Sequence, residues 1–344
     1  MSTRRRVQFS APGEVEVVTD PMPVPDTDEV RVRTQYSAVS PGTERLVYQG
    51  DVPRHLEADS SIEALQGDFS YPLSYGYACV GEVERVGADA DQAWIGTSVF
   101  AFQPHVSHFV ASPDTLIPLP EGTDLEGATL IPSVETAVNL VMDGRPMIGE
   151  SVVVFGQGVV GLLTTQLLAN HPLTRLKVVE PVLSRRERAE SRGAQAFESA
   201  QALETCAPSA DPGRTVPDDP PDRADLVYEL TGRPHVLNDA VAQTGFGGRL
   251  VIGSWYGTKQ APLKLGGHFH RSRMRIISSQ VSTIDPDYRG RWTKGRRMSV
   301  VLDLLGTLSP RQLISDRFRL EEAATLYTQL ADDASTLQPV IVYD

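Results

Sequence analysis

The sequence predicts an α/β protein in which a doubly wound parallel sheet is joined to a second, β-rich domain. Residues 7–120 carry short Val-, Phe- and Thr-rich runs broken by Gly and Pro, and strand-like and helix-like patterns alternate from residue 126 onward. A glycine-rich turn joins one of these later strands to its helix. A chain of 344 residues is long for a single core, so two domains are expected.

The first segment is predicted to be β-rich because runs such as EVRVRTQYSAVS and CVGEVERVG contain the residues typical of strands. The chain ends in LQPVIVYD, which follows predicted helices near MSVVLDLLG and LEEAATLYTQLA. A strand in this last position most simply returns to the first domain.

The middle of the chain predicts successive βαβ units and therefore a parallel sheet. The run VVVFGQGVVGLLTTQLLAN is followed by LKVVEP and SRRERAESRGA, and the alternation resumes at ADLVYELTG and ends at GGRLVIGSWYG. Between two of these units lies APSADPGRTVPDDPPDRAD, whose Pro and Asp content is typical of a solvated surface loop.

Composition excludes several classes of function. A net charge of −12 and a pI near 5.1 argue against non-specific binding to nucleic acid. The N-terminal stretch has no apolar run long enough for a signal peptide or a membrane span. Cys79 and Cys206 are the only cysteines, too few for a disulfide framework. We therefore expect a cytoplasmic protein without a nucleic-acid or membrane partner.

The glycine turn predicts a dinucleotide site. Gly156, Gly158 and Gly161 form GxGxxG directly between the apolar strand VVVF and the apolar helix VVGLLTTQLL. The first glycine permits the tight turn, the second lets the backbone approach the pyrophosphate, and the third allows close packing of helix on strand. The helix N-terminus then offers its N–H groups to the phosphates.

The acid after the second parallel strand predicts the choice of cofactor. Glu180 lies 24 residues after Gly156, near the offset of about 20 residues at which an acid accepts hydrogen bonds from the adenosine ribose. This favours NAD. Arg185 and Arg186 follow closely and leave NADP open, because either could hold a 2′-phosphate.

The order of elements resembles the medium-chain dehydrogenase/reductase superfamily, which includes zinc alcohol dehydrogenases and quinone reductases. The resemblance covers nearly the whole chain and includes GEVERVG, FVASPDTLIPLPEG, GQGVVG and GGRLVIGSWYG. It implies a GroES-like catalytic domain of residues 1–133 and 288–344, a Rossmann domain of residues 134–287, and a homodimer.

The resemblance also implies a zinc site that this sequence has lost. The turn that carries a cysteine ligand in zinc-dependent members is SPGTE here, with Pro41 at the ligand position. The GHE segment is Gly76, Tyr77 and Ala78, and the later ligand position falls near Pro132. We therefore expect no zinc. His105 and His108 are interpreted as surface or pocket histidines. These departures, with HFHRSRMRIISSQVS and RWTKGRR, look most like a branch similar to bacteriochlorophyllide dehydrogenases.

Catalysis without zinc requires hydrogen-bond donors at the oxygen that gains charge. Tyr77 stands where relatives have a zinc-binding histidine, so it is either the proton donor or an aromatic that fills the space. Thr43 matches the hydroxyl residue that relays protons in zinc members, or satisfies a local turn, and Glu44 follows it. Glu135 is either a general base or a simple helix acid.

The resemblance extends the cofactor site beyond the glycine turn. Trp255 and Tyr256 follow LVIGS, where relatives place a loop near the nicotinamide, and either line the pocket or pack in the core. The full set of predicted cofactor-binding residues is Gly156, Gln157, Gly158, Val159, Val160, Gly161, Glu180, Arg185, Thr231, Gly253, Trp255, Ser279 and Gln280.

Basic residues are concentrated between residues 271 and 297 of an otherwise acidic chain. This cluster comprises Arg271, Arg273, Arg275, Arg289, Arg291, Lys294, Arg296 and Arg297. Such a run usually marks a solvated face, and it also allows the small-molecule substrate to be anionic.

Three functions remain open at this point. We favour zinc-independent, NAD(P)-dependent interconversion of an alcohol and a ketone or aldehyde. The alternatives are NAD(P)H-dependent reduction of a quinone or an enone C=C bond, and a non-catalytic dinucleotide-binding protein.

Overall fold

The computed structural model describes residues 2–59, 62–205 and 223–344. Its strands, in chain order, are β1 (Thr3–Ala11), β2 (Glu14–Pro21), β3 (Val30–Ala38), β4 (Cys79–Val86), β5 (Ser98–Ala101), β6 (His108–Ala111), β7 (Ile117–Pro118), β8 (Ser151–Phe155), β9 (Arg175–Val179), β10 (Gln195–Phe197), β11 (Ala224–Glu229), β12 (Thr244–Ile252), β13 (Arg275–Ser278), β14 (Asp316–Arg319) and β15 (Pro339–Val342).

The α-helices of the same residues follow the predicted pattern. They are α1 (Thr43–Gln49), α2 (Leu125–Ala128), α3 (Ile131–Gly144), α4 (Val159–Leu168), α5 (Leu183–Glu190), α6 (Ala200–Thr205), α7 (Leu237–Gln243), α8 (Lys294–Leu308) and α9 (Ala323–Asp332).

The predicted doubly wound sheet is confirmed. Within the described residues, six parallel strands lie in the order β10-β9-β8-β11-β12-β13, which is the 3-2-1-4-5-6 order typical of a Rossmann fold. The central strand β8 is SVVVF, and its last four residues are buried. Helices cover both faces of such a sheet, so its central strands are continuously apolar. The glycine turn leaves the carboxyl end of β8.

The predicted β-rich domain is also confirmed. In the described residues a seven-stranded sheet has the path β14-β15-β3-β4-β5-β7, with β6 on β3, and β1 pairs with β2. The C-terminal strand β15 returns to this sheet and pairs antiparallel with β3, with Val340 opposite Ala38. The sequence did not predict β14, whose DRFR has no alternating apolar pattern and which pairs with β15 alone along the sheet path.

The described chain divides into two compact units, Met1–Pro132 with Leu305–Asp344, and Ser133–Leu304. The first boundary falls beside the predicted 133/134, but the last one lies after residue 304 instead of after residue 287. The physical reason is Arg297, on the first turn of α8, which forms an ion pair with Glu135 of α3 and ties this segment to the second unit.

Two further predictions concern the Pro- and Asp-rich segment and the absence of a membrane span. The Pro- and Asp-rich segment 207–225 lies outside the described residues as far as residue 222, and so does Cys206. Over the ranges that are described, no helix is long and apolar enough to cross a membrane.

Candidate functional site

The glycine turn of the second unit has the geometry that a dinucleotide requires. Gly156 has a φ of 91°, a conformation that residues with a Cβ rarely adopt. A Cβ on Gly161 would lie 2.1 Å from the carbonyl oxygen of Gly156, so only glycine lets the helix pack this closely. A Cβ on Gly158 would meet nothing within 4 Å. The open space beside Gly158 fits the predicted approach of a pyrophosphate to the backbone.

The N-terminus of α4 follows this turn directly. Its N-cap residue is Gly158, which has no side chain to cap the helix. The first N–H groups of a helix have no acceptor within it, so those of Val159, Val160 and Gly161 are suited to bind phosphate oxygens.

The Gln157 side chain points into the protein. Its Nε2 donates to the carbonyl oxygen of Gly156 at 3.0 Å, and its Oε1 accepts from the Thr165 hydroxyl at 3.0 Å. Gln157 is fully buried. Its predicted contribution to the cofactor site is therefore restricted to its backbone.

Glu180 lies beside the glycine turn, where a ribose-binding acid is expected. Its carboxylate accepts hydrogen bonds from the backbone N–H groups of Gln157, at 2.7 Å, and Val182, at 3.0 Å. Arg186 donates to the carbonyl oxygens of Glu180 and Pro181 at 2.9 and 2.8 Å, so its guanidinium is committed to the end of β9. Arg185 lies in the first turn of α5.

The carboxyl end of β11 carries an acid that the sequence analysis missed. Glu229 is fully buried and accepts hydrogen bonds from the backbone N–H of Thr231 at 2.8 Å, from the Thr231 hydroxyl and from the Tyr256 hydroxyl. Burial, followed by the nearby Glu229 carboxylate, raises the pKa of Tyr256. The available signal was an acid placed directly after the apolar strand ADLVY, at the edge where ligands bind.

Gly253 and Trp255 follow the next strand, β12. A Cβ on Gly253 would lie 2.6 Å from methyl groups of both Leu140 and Leu230, so this position is required for packing. Trp255 is 37% exposed, and its place at the cofactor stays a prediction.

Ser279 and Gln280 follow β13, and both have local partners. The Ser279 hydroxyl donates to the Asp143 carboxylate at 2.6 Å and accepts from the Asn139 amide at 3.0 Å. Burial raises the pKa of Asp143. The Gln280 side chain accepts from the backbone N–H of Ser282. Ser279 thus joins α3 to the strand end, and its cofactor role stays a prediction.

Arg297 does not belong to a solvated basic face. Its side chain is 0% exposed and donates to the Glu135 carboxylate at 2.8 and 3.1 Å, and to the Asn139 amide oxygen at 2.5 Å. Glu135 is held by this buried ion pair, and its role as a general base stays a prediction. Truncating either partner would leave a buried charge, which typically costs about 3–5 kcal/mol.

The other cations of the cluster are exposed. Arg296 stacks on Trp292, with 4.2 Å between its guanidinium carbon and the ring centroid. Arg291 lies 5.5 Å from the centre of the Tyr288 ring, and Arg145 approaches the same ring at 4.7 Å. Asp285 and Asp287 pair with Arg145 and balance part of this charge.

The first unit brings together two of the predicted catalytic residues and adds a third. The hydroxyls of Ser40 and Thr43 lie close enough to the Tyr77 phenol to lower its pKa. Burial, the largest effect, raises the pKa of Tyr77, these two hydroxyls oppose the rise, and the nearby Glu44 carboxylate adds to it. Tyr77, Thr43 and Ser40 are each partly exposed. The sequence analysis missed Ser40, although it lies in the SPGTE turn.

Glu44 is enclosed beside this cluster. Its side chain is 0% exposed, and it accepts hydrogen bonds from the backbone N–H of Ser40 at 2.7 Å and from the Tyr327 hydroxyl at 2.5 Å. Burial, with the Glu44 charge second, raises the pKa of Tyr327. Glu44 was predicted to be catalytic, but an enclosed carboxylate is suited to positioning other groups and not to contact with a substrate.

The prediction that His105 is a surface or pocket histidine is wrong. Its side chain is 0% exposed, with Nε2 2.9 Å from Glu44 Oε2 and Nδ1 2.7 Å from the Ser37 hydroxyl. The ring is enclosed because Gly76 leaves room for it, since a Cβ there would lie 2.6 Å from Nε2. His108 is half-buried on β6, and its Nδ1 lies 3.1 Å from the Ser107 hydroxyl.

The residues at the zinc-ligand positions do not fit a zinc ion. The side chains of Pro41, Ala78 and Pro132 have no donor atom, and the phenol of Tyr77 is not among the usual zinc ligands. Among the residues described, no group of three or more His, Cys, Asp or Glu is placed to hold a metal.

Comparison with known proteins gives no match to any protein-family model but several full-length relatives. The chain is 23% identical over 327 residues to the D-guloside 3-dehydrogenase of Escherichia coli K12, which covers 89% of each chain. It is 22% identical over 355 residues to the 2-desacetyl-2-hydroxyethyl bacteriochlorophyllide A dehydrogenase of Cereibacter sphaeroides, which covers 97% of this chain and 96% of that one. A zinc-type alcohol dehydrogenase-like protein of Escherichia coli K12 is 23% identical over 282 residues, 71% of this chain and 75% of that one.

Solved structures share the fold. The 2R,3R-butanediol dehydrogenase of Bacillus subtilis has a TM-score of 0.78 at 17% identity. A Sinorhizobium meliloti 1021 dehydrogenase bound to NADP has a TM-score of 0.75 at 18% identity, and a short-chain alcohol dehydrogenase of Escherichia coli CFT073 complexed with NADH has 0.76 at 18%. Each comparison covers 99% of this chain and 100% of the other. At such identities the likeness establishes the fold.

Proposed function

Because the chain belongs to the zinc-type alcohol dehydrogenase-like, medium-chain dehydrogenase/reductase superfamily, we propose that it is an oxidoreductase that interconverts an alcohol and a ketone or aldehyde without zinc. The observation that carries this proposal is the glycine turn, where Gly158 opens the backbone to a pyrophosphate at the carboxyl end of a parallel strand. The solved relatives bound to NADP and NADH support a nicotinamide dinucleotide as the cofactor.

We propose NAD as the preferred cofactor. Glu180 is fixed by two backbone N–H groups beside the glycine turn, and its carboxylate would accept hydrogen bonds from ribose hydroxyls and repel a 2′-phosphate. Arg186 is committed to carbonyl oxygens and is poorly placed to compensate for that repulsion.

The mechanism follows from the Tyr77 cluster. The bound nicotinamide supplies the hydride in reduction and accepts it in oxidation. In reduction the Tyr77 phenol donates its proton to the carbonyl oxygen, and the hydroxyls of Ser40 and Thr43 stabilise the phenolate that remains. Tyr77 is partly exposed, so water can return the proton. In oxidation the steps reverse: water first takes the phenolic proton, and the Tyr77 phenolate, stabilised by the same two hydroxyls, then accepts the proton of the alcohol.

The direction of the Tyr77 pKa shift sets an expectation for pH dependence. Burial raises this pKa above its ordinary value, so the phenol stays protonated at and above neutral pH. We expect no loss of reduction rate from this group below about pH 10, the ordinary pKa of tyrosine.

The first experiment is to measure binding of NADH and NADPH by fluorescence, followed by a screen of ketones, aldehydes, quinones and enones for cofactor oxidation. Tyr77→Phe should lower kcat for a carbonyl substrate by about 100-fold and leave NADH affinity unchanged. Tyr75→Phe is the matched control, because Tyr75 packs against Tyr77 in the same core and the change also removes one hydroxyl.

The outcomes separate the candidate functions. Full activity in Tyr77→Phe would remove Tyr77 from the chemistry. Turnover of enones or quinones alone would favour reduction of a quinone or a C=C bond. That reaction needs no Lewis acid at an alkoxide, so it is compatible with Pro41, Tyr77 and Pro132 at the positions where zinc-type relatives have ligands. Binding without any turnover would favour a non-catalytic dinucleotide-binding protein.

A further inference from the structure

A buried chain of hydrogen bonds crosses the first unit behind the Tyr77 cluster. The Tyr343 and Ser37 hydroxyls lie 2.9 Å apart, and Ser37 lies 2.7 Å from His105 Nδ1. Nε2 of the same ring lies 2.9 Å from Glu44, which also accepts from Tyr327. The members come from β3, the loop before β6, α1, α9 and the C-terminal segment, so only the folded unit assembles them.

The donors and acceptors of this chain match when Glu44 is ionised and His105 is neutral with its proton on Nε2. Tyr343 then donates to Ser37, and Ser37 donates to Nδ1 of His105. Nε2 and the Tyr327 hydroxyl both donate to Glu44. Complete matching is what a fully buried polar network requires for stability, because each unpaired group would lose its hydration without compensation.

Glu44 connects this hydrogen-bonded chain to the turn that carries Ser40 and Thr43. It is the second residue of α1, which begins at Thr43, and it accepts from the backbone N–H of Ser40. Ser40 is thus held directly by Glu44 and Thr43 precedes Glu44 in the chain, and these are the two residues whose hydroxyls lower the pKa of Tyr77. His105 also packs against Gly76, the residue before Tyr77.

We propose that His105 is a positioning residue, which through Glu44 holds the hydroxyls of Ser40 and Thr43 against the Tyr77 phenol. In this protein a hydrogen-bonded histidine and carboxylate fix the geometry at the positions where zinc-type relatives place metal ligands. The inference rests on the proposed function in that Tyr77 is the proton donor.

Two amide substitutions separate the two nitrogen atoms of His105. The amide of Gln extends about as far as Nε2 and can still donate to Glu44, whereas the shorter Asn amide occupies the position of Nδ1 and keeps only the contact with Ser37. We expect His105→Gln to keep kcat within about threefold of the native protein and His105→Asn to lose about 10- to 100-fold. The Kd for NADH should not change in either variant.

Ser37→Ala is the matched control, because it removes the other hydrogen bond of His105 and leaves Glu44 in place. It should keep kcat near that of the native protein. Equal losses in the Gln and Asn variants at equal Tm, or a loss in Ser37→Ala as large as in His105→Asn, would overturn the proposal. If His105→Asn does not fold, a tenfold loss in either His105→Gln or Ser37→Ala overturns it, and retention in both supports it.

A second readout does not depend on turnover. The ring resonances of Tyr77 in protein labelled with ¹³C-tyrosine are identified by their absence in Tyr77→Phe. They should shift in His105→Asn and stay in place in His105→Gln. If no carbonyl substrate is turned over but this pattern is seen, the proposed function fails and the positioning role stands. If turnover is seen without the shift, the positioning role fails alone.

Discussion

Among the described residues each unit buries one glutamate completely, Glu44 in the first and Glu229 in the second, and the two carboxylates are held in different ways. Glu44 in the first unit has His105 as a partner, together with the Tyr327 hydroxyl and the backbone N–H of Ser40. The Glu229 carboxylate in the second unit accepts from the backbone N–H and hydroxyl of Thr231 and from the Tyr256 hydroxyl. In both places a tyrosine hydroxyl donates to the carboxylate, and burial together with that charge raises the pKa of the phenol.

The two glutamates differ in how far along the sequence their hydrogen-bond donors lie, and this distance decides which level of structure places the donors. Thr231 follows Glu229 by two residues and Tyr256 belongs to the loop after the neighbouring parallel strand, so the strand order of the sheet places every donor. The partners of Glu44 come from segments as far apart as residues 40 and 327. The site at Glu44 therefore depends on tertiary packing, and the site at Glu229 on local structure.

The largest expected effect comes from truncating the two glutamates. Glu44→Ala should lower the free energy of unfolding by about 2–6 kcal/mol, because His105 Nε2 and the Tyr327 hydroxyl, both buried, each lose their acceptor at about 1–3 kcal/mol. Glu229→Ala should cost about 1–3 kcal/mol, because Thr231 and Tyr256 are partly exposed and water can reach them. Urea unfolding measures both losses, and hydrogen exchange assigns each to a unit. Equal losses of unfolding free energy in the two variants would contradict the difference between Glu44, whose partners are distant in sequence, and Glu229, whose partners are near.

The next effect separates two glycines of the dinucleotide turn. Gly161→Ala should destabilise the protein by about 1–3 kcal/mol, because its Cβ would press on the backbone of Gly156. Gly158→Ala should leave Tm nearly unchanged and weaken NADH binding by about tenfold or more, because its Cβ would fill the space left for the pyrophosphate. Tm and NADH titration of the two variants check this. A Gly158→Ala protein that binds NADH normally would show that no phosphate approaches there.

The smallest expected effect concerns Glu180, which resembles Glu229 in being held by neighbouring donors. Glu180→Gln keeps the size of the side chain, loses the negative charge and should shift the ratio of NAD to NADP affinity toward NADP by about tenfold. Titration with both reduced cofactors measures the ratio, and Glu187→Gln on the exposed face of α5 is the control. An unchanged ratio would remove Glu180 from the ribose site.

Much of the second unit was predictable because its pattern is local. The strand VVVF, the turn 156–161 and the helix VVGLLTTQLL are adjacent in sequence, and the structure places α4 at Val159–Leu168. The Arg297 ion pair was not predictable, because a cation within a basic run has the same sequence signal whether it faces water or a buried acid. Its partner Glu135 lies 162 residues away.

The first unit shows the opposite balance. Tyr77 and Thr43 were singled out through their positions in a family pattern, and the structure brings both together with Ser40. His105, Tyr327 and Tyr343 gave no signal, since an isolated histidine or tyrosine in the sequence does not reveal which carboxylate or hydroxyl it will meet.

The sequence by itself determined most of the order of strands and helices, the glycine turn and the residue types at the positions that carry ligands in zinc-type relatives. These features depend on the conformational limits of single residues and on neighbours a few positions apart. Only the tertiary structure decided that Glu44 is enclosed by His105 and Tyr327 and that Arg297 is buried against Glu135. The physical reason is that a buried charge needs partners that complete its hydrogen bonds, and where those partners are distant in sequence only packing places them.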